Sequence, residues 1–115
     1  MNMSTRTRQV GGVAIVDISG RIVLGEECAS LRKLVCDLVS DGHNQILFNL
    51  AEVNYIDSAG LGQLMSCYSH LVKNRGVLKM LNPAPEIKKL LDMTGLSTLI
   101  PTFHDEQEAV SSFKN

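Results

Sequence analysis

Residues 53–71 read VNYIDSAGLGQLMSCYSHL, where an apolar, β-branched run changes into a helical pattern. Asp57 and Ser58 stand at the change, and Gly60 and Gly62 follow within the first turn of the predicted helix. Apolar residues then recur at helical spacing: Leu61, Leu64, Met65, Tyr68, Leu71 and Val72. The stretch therefore predicts a junction between a strand and a helix.

Strands and helices are predicted to alternate on both sides of this junction. Two apolar runs have the length of buried strands, QILFNL at residues 45–50 and VLKML at residues 77–81. Residues 51–56, AEVNYI, read as a loop before the junction. Helical periodicity marks residues 26–42, which end in a glycine, and residues 84–95, which have a proline near the start and a glycine at the end.

The two ends of the chain predict a hairpin and a last helix. In residues 5–22, two β-rich runs flank Gly11-Gly12, a pair suited to the positive φ angles of a two-residue turn, and Gly20 closes the second run. Residues 97–100, STLI, read as a short further strand. Residues 105–113 predict a final helix that starts with a capping-box-like pattern.

This order, β-β-α-β-α-β-α-(β)-α, predicts a single α/β domain over residues 1–115. A hairpin followed by alternating elements implies a small mixed sheet, mostly parallel, packed with about four helices, because parallel neighbours need crossover connections.

Composition and charge exclude several classes of function. The formal net charge is −1, so the sequence predicts no clustered basic surface for nucleic acid. No apolar run approaches the roughly 20 residues that a membrane span needs. The first ten residues, MNMSTRTRQV, lack the apolar centre of a signal peptide, which predicts a cytoplasmic protein.

The cysteines and histidines predict neither a metal site nor a disulfide framework. Cys28, Cys36 and Cys67 are odd in number and have no CxxC spacing, and each falls in a predicted helix, where a free cysteine behaves as a small buried hydrophobe. The histidines are scattered, at positions 43, 70 and 104. No metal or other cofactor is predicted.

Three roles are open for Ser58. As a helix cap, Asp57 or Ser58 would satisfy helix N–H groups, but a cap does not explain Gly60 and Gly62, because glycine destabilises a helix by up to about 1 kcal/mol relative to alanine. Two glycines there suggest that another chain or a charged group approaches closely.

As a nucleophile, Ser58 would need the pattern GxSxG, but IDSAG has Ile56 in place of the first glycine. No histidine is placed by the sequence to activate it. GLGQLM, residues 60–65, starts like a dinucleotide-binding GxGxxG, yet position 65 is a methionine, and a lone GxG is weak support for a nucleotide site.

As a phosphorylation site, Ser58 would gain about −1.5 to −2 charges at a helix start, where free N–H groups and the helix dipole favour an anion. The fold should tolerate the phosphate, while a binding face centred on Ser58 would lose a partner through like-charge repulsion and desolvation. The pattern therefore allows a switch.

The segment YIDSAGLGQL, residues 55–64, resembles the signature D-S-x-G-hydrophobic-G of STAS domains, particularly of the bacterial anti-sigma-factor antagonists. Other segments occur in the order of that family: VAIVDISGRI, LRKLV, ILFNL, LKMLN and LLDMTGLSTLI. The resemblance extends from about Thr7 to Phe113, and DSAGLG is its most specific part.

The resemblance implies a non-enzymatic, partner-switching protein. In the family, the serine matching Ser58 is phosphorylated by an anti-sigma factor with serine kinase activity, and a separate serine phosphatase reverses this. The unphosphorylated protein binds that kinase and so frees the sigma factor. The match implies these partner-binding residues: Asp57, Ser58, Ala59, Gly60, Leu61, Gly62 and the retained basic residue Arg21.

The loop after the second strand departs from the family pattern. Many antagonists have an acidic residue in a pattern like G-[RE]-hydrophobic-D, whereas GRIVLGEE has Val23 there, with Glu26 and Glu27 later. Because this loop lies near the phosphorylated serine in the family, the departure bears on the kinase contact. A solvated loop charge is an equal alternative for Arg21.

A second function is also open: a STAS interaction module of a sensor or transport assembly outside sigma-factor control.

Overall fold

The computed structural model of the chain describes residues 2–114. Five strands and five helices follow one another along this part of the chain: β1 (Met3–Val10), β2 (Val13–Ile22), α1 (Glu26–Ser40), β3 (Gln45–Ile56), α2 (Ser58–Lys73), β4 (Val77–Leu81), α3 (Pro85–Met93), α4 (Leu96–Leu99), β5 (Thr102–Phe103) and α5 (Glu106–Ser111). The predicted α/β class and alternation are confirmed.

The strands form one mixed sheet in the order β1-β2-β3-β4-β5. Strand β1 pairs antiparallel with β2, and the other neighbours are parallel. The hairpin turns at Gly11-Gly12, where φ is 56° and 82°, a conformation that favours glycine. The sheet is therefore mostly parallel, as predicted, with one antiparallel edge.

Two hydrophobic cores cover the two faces of the sheet, because alternate residues of a strand point to opposite sides. In β2, Ala14, Val16 and Ile18 face the larger core, which they share with apolar residues of α1, α2, α3 and α4. Val13 and Ile15 face the smaller core with Ala109 and Val110 of α5 and with three further residues: Leu47, Leu81 and Phe113. The short α5 supplies the helical side of the smaller core.

The predicted loop at residues 51–56 is wrong, because β3 continues to Ile56 and ends directly at the junction. Its burial loses the alternation of a regular strand: Val53 and Ile56 are buried, while the residues between them are exposed. Two register shifts against β2 cause this irregularity. Gly20 likewise does not close β2, which passes through it at a φ of 95° and ends at Ile22.

Near the carboxyl end, the predicted strand at residues 97–100 is also wrong. Most of this run lies in α4, a single helical turn that begins after Gly95, and the fifth strand is Thr102–Phe103. Helix α5 ends at Ser111 instead of reaching Phe113, although the Phe113 side chain is buried in the smaller core. Within residues 2–114, no helix has the length and apolarity to cross a bilayer.

The three cysteines lie in helices, as predicted. Cys28 and Cys67 are buried and Cys36 is half-buried, and all three are free thiols. Across the described part of the chain, no group of three or more His, Cys, Asp or Glu side chains is arranged to hold a metal ion.

Candidate functional site

The predicted junction lies at the carboxyl ends of two parallel strands. Ile22 at the end of β2 pairs with Ile56 at the end of β3, so the chain leaves both strands at one edge of the sheet. The Asp57 N–H donates to the carbonyl oxygen of Ile22 at 3.3 Å. The loop after β2 and the first turn of α2 therefore meet at this edge.

Asp57 caps α2 and also holds the neighbouring loop. Its Oδ1 accepts a hydrogen bond from the Gly60 N–H at 2.8 Å, and its Oδ2 accepts one from the Leu24 N–H at 3.1 Å. These two hydrogen bonds lower the pKa of Asp57 below its usual value because they stabilise the carboxylate, and the bond from Gly60 has the larger effect. The cap role that the sequence left open thus belongs to Asp57.

Ser58 is the first residue of α2, and its side chain is exposed. Among the described residues, its hydroxyl takes part in no hydrogen bond, and none of the three histidines donates to it or accepts from it. Because Asp57 supplies the cap, the Ser58 hydroxyl is available to solvent and to an approaching molecule. The geometry offers no base of the kind that a serine nucleophile needs.

The two glycines near the start of α2 have different surroundings. Gly60 is buried, and a Cβ at this position would strike the carbonyl oxygen of Ile22 and lie 2.8 Å from Ile56 Cγ2. Gly62 is exposed and has open space where its Cβ would be. The space beside Gly60 is thus filled by this chain's own strands, so the predicted approach of another chain or a charged group is wrong for Gly60. For Gly62 it stays a prediction.

Arg21 and its neighbours form an exposed patch beside the junction. The guanidinium carbon of Arg21 lies 4.8 Å from the centroid of the Tyr55 ring, a cation–π contact between neighbouring strands. Leu24 projects into solvent with 76% of its surface exposed, although its N–H is tied to Asp57. The sequence analysis did not single out Leu24 or Tyr55. Both could have been noticed, because Leu24 is an apolar residue in a loop and Tyr55 is a large aromatic residue near the end of a strand.

The other predicted residues lie around this patch. Ala59 and Leu61 are half-buried in the first turn of α2, and Val23 is half-buried in the loop. Glu27 does not replace the missing loop acid, because it is buried and its Oε2 accepts a hydrogen bond from the Asn2 N–H at 3.0 Å. Glu26 is exposed in the first turn of α1.

Asp57→Ala is expected to lower the Tm by more than Asp105→Ala does. Asp105 caps α5 through a single bond from the Glu108 N–H, so it is a matched cap without a second partner. Asp57→Ala removes both the cap and the hydrogen bond to the loop after β2. Thermal unfolding followed by circular dichroism measures the difference, and equal losses would mean that the bond to Leu24 contributes nothing.

Comparison with known proteins shows the family of the chain. The sequence model of the family described as STAS domain matches residues 4–109. An anti-sigma F factor antagonist of Paenibacillus polymyxa is 25% identical over 116 residues, which cover 99% of this chain and 97% of that protein. An anti-sigma-B factor antagonist of Bacillus subtilis (strain 168) is 30% identical over 100 residues, which cover 87% of this chain and 90% of that protein.

Solved structures show the same fold. The anti-sigma factor antagonist SpoIIAA in its unphosphorylated form matches with a TM-score of 0.80 at 18% identity, over 96% of both chains. The Bacillus cell fate determinant SpoIIAA in the phosphorylated form matches with a TM-score of 0.74, also at 18% identity, over 96% of this chain and 100% of that one. The match of a STAS model to most of the chain, together with these relatives, shows that the chain belongs to the STAS domain family, in the group of the bacterial anti-sigma-factor antagonists.

Proposed function

We propose that the unphosphorylated chain binds an anti-sigma factor with serine kinase activity and thereby frees a sigma factor. The bound kinase transfers a phosphoryl group to the hydroxyl of Ser58, and the phosphorylated chain is released until a serine phosphatase removes the group. The chain is then a ligand and a substrate, and the ATP chemistry belongs to its partner. The proposed partner surface consists of Arg21 and of Asp57 to Gly62.

The division of labour between Asp57 and Ser58 carries this proposal. In a serine that caps a helix, the hydroxyl oxygen accepts a hydrogen bond from a backbone N–H of that helix. Here the Asp57 carboxylate accepts the hydrogen bond from the Gly60 N–H instead, and the exposed Ser58 hydroxyl has no partner in the described chain. A kinase can therefore reach Ser58 without unwinding α2.

The electrostatics of the first turn support a switch that does not unfold the protein. A phosphate on Ser58 would lie at the positive end of α2, a helix of 16 residues, where the helix dipole favours an anion. It would also stand next to Asp57, whose carboxylate accepts a hydrogen bond from the Leu24 N–H. A partner that packs against this surface would have to remove water from two neighbouring negative groups, the Asp57 carboxylate and the phosphate, and any acidic group of the partner would be repelled. Both effects oppose binding.

Gly62 also supports a partner at this surface. Glycine in a helix interior lowers stability by roughly 0.5–1 kcal/mol relative to alanine, and nothing in the folded chain occupies the space beside Gly62. A close approach by another protein would account for a glycine that the fold does not need.

Labelling tests the site assignment. We expect purified wild-type protein to be phosphorylated when it is incubated with radioactive ATP and a lysate of the source cells, and Ser58→Ala to remain unlabelled. Ser66→Ala is the matched control, because Ser66 is an exposed serine on the same helix, away from its first turn, and this variant should label like the wild type. Equal labelling of Ser58→Ala and wild type would show that Ser58 is not the site.

Capture of partners tests the rest of the proposal. Wild-type protein as bait should retain an ATPase of the histidine-kinase-like class, and protein with phosphoserine installed at position 58 should lose it. Mass spectrometry identifies what each bait holds. If both baits hold the same sensor or transport protein and no kinase, the chain is a STAS interaction module outside sigma-factor control, and the proposed function is wrong.

A further inference from the structure

A groove between α1 and α2 lies apart from the Ser58 surface. Its volume is about 340 Å³, within the range of roughly 300–1,000 Å³ that is usual for small-molecule sites. It is lined by side chains from the middle of α1 and from α2 between Gln63 and Lys73, among them Arg32, Cys36, Cys67 and His70. None of the residues assigned to the partner surface lines it.

The charge of this groove is opposite to that of the whole chain. The chain carries a formal charge of −1, yet the groove is lined by Arg32, His70 and Lys73 and by no acidic residue. Two other lysines of the helices are neutralised by partners one turn away, Lys33 by Asp37 at 2.9 Å and Lys88 by Asp92 at 2.8 Å. Within residues 2–114, neither Arg32 nor Lys73 forms a salt bridge, so both cations are available to an anion.

The helix dipole explains only part of this arrangement. His70 and Lys73 lie in the last turn of α2, where positive charge stabilises a helix. Arg32 lies inside α1, far from a helix end, so the dipole gives no reason for its position. The three side chains share a groove because the two helices pack against each other.

The inner wall of the groove is polar and uncharged. Gln63 is 7% exposed, and its side-chain N–H donates to Cys67 Sγ at 3.6 Å, while its amide oxygen accepts no hydrogen bond from the described residues. Burial raises the pKa of Cys67 to about 11, so this thiol stays neutral near neutral pH and adds no negative charge. Val35 and Met65 give the groove an apolar part.

We propose that this groove binds a small organic anion. Its acidic group, a phosphate or a carboxylate, is held by Arg32, His70 and Lys73, and its apolar body lies against Val35 and Met65. The Gln63 amide oxygen accepts a hydrogen bond from a donor on the ligand. The site begins five residues after Ser58 on the same helix, and it is independent of the proposed phosphorylation.

Nuclear magnetic resonance with two aromatic dianions tests this proposal on the full chain. Phenyl phosphate and phthalate, added at constant ionic strength, are expected to shift backbone amide signals of the α1 and α2 residues that line the groove, in a saturable manner. Phenol, which lacks the acidic group, should not. A response to phenyl phosphate alone assigns the acidic group as a phosphate, and a response to phthalate alone assigns it as a carboxylate.

Charge variants make the test specific. Arg32→Gln and Lys73→Gln should each weaken binding roughly tenfold, because each removes a charge-assisted hydrogen bond. Both side chains are exposed, so the variants should stay folded. Lys89→Gln, an exposed lysine of α3 outside the groove, should leave the affinity unchanged. The proposal is overturned if neither dianion shifts the groove signals, if phenol shifts them equally, or if Lys89→Gln weakens binding as much.

Discussion

Gly60→Ala is expected to lower the free energy of unfolding by about 3 kcal/mol, at the upper end of the usual range for overpacking. The added methyl group would strike the carbonyl oxygen of Ile22 and lie 2.8 Å from Ile56 Cγ2. The carbonyl belongs to the backbone of β2, which cannot rotate away as a flexible side chain would. The first turn of α2 would have to move off the sheet and break the hydrogen bonds that Asp57 makes.

Gly62→Ala is the matched control for this prediction. It lies two residues further along the same helix and has open space around the position of its Cβ, so alanine should raise the free energy of unfolding by about 0.5–1 kcal/mol. Urea unfolding of the two variants and the wild type measures both changes. Similar effects of the two substitutions would mean that Gly60 is not held against β2.

Arg8→Ala is expected to lower the free energy of unfolding by about 2 kcal/mol, an estimate that allows for partial solvent exposure. Arg8 on β1 donates to both carboxylate oxygens of Asp17, at 2.8 and 3.1 Å, and to both oxygens of Glu106, at 3.0 and 2.7 Å. Asp17 also accepts a hydrogen bond from the Asn49 side chain at 2.8 Å. One guanidinium therefore joins the edge strand to α5.

The effect of Arg8→Ala should depend on pH. The Arg8 guanidinium, through its hydrogen bonds, lowers the pKa of both Asp17 and Glu106. Carboxyl groups with a lowered pKa in the folded state stabilise the protein above their unfolded pKa, near 4, and lose this contribution as the pH falls through the folded value. The stability difference between wild type and Arg8→Ala should therefore shrink between about pH 5 and pH 3.

Arg6→Ala provides the comparison for this effect. Arg6 is an exposed residue two positions earlier on β1, and the structure gives it no salt bridge within residues 2–114. Its replacement should change the free energy of unfolding by less than about 0.5 kcal/mol at neutral pH. The role of Arg8 in holding α5 would be contradicted if Arg8→Ala lowered the free energy of unfolding by no more than Arg6→Ala does. It would also be contradicted if the loss caused by Arg8→Ala grew as the pH falls.

The errors of the sequence-based prediction have one physical origin. The sequence predicts a loop at residues 51–56, yet pairing with β2, with two register shifts, keeps them in a strand. Residues 97–100 were expected to form a strand, but the chain turns at Gly95 into a single helical turn that packs Leu96 into the larger core. In both places a neighbouring element decides the local structure.

Features that depend on near neighbours in the chain could be predicted from the sequence. Hydrophobic periodicity, the glycine pair of the hairpin and the polar residues at the junction predicted the α/β order and offered Asp57 or Ser58 as a cap, because each rests on residues within a few positions of one another.

The contacts between distant parts of the chain could not be predicted in this way. Leu24 donates to Asp57 over 33 residues, and Arg8 reaches Glu106 over 98. Gly60 of α2 is required because the carbonyl oxygen of Ile22, at the end of β2, occupies the space beside it. No local pattern encodes such contacts, since they arise only when sheet pairing and helix packing bring distant segments within bonding distance.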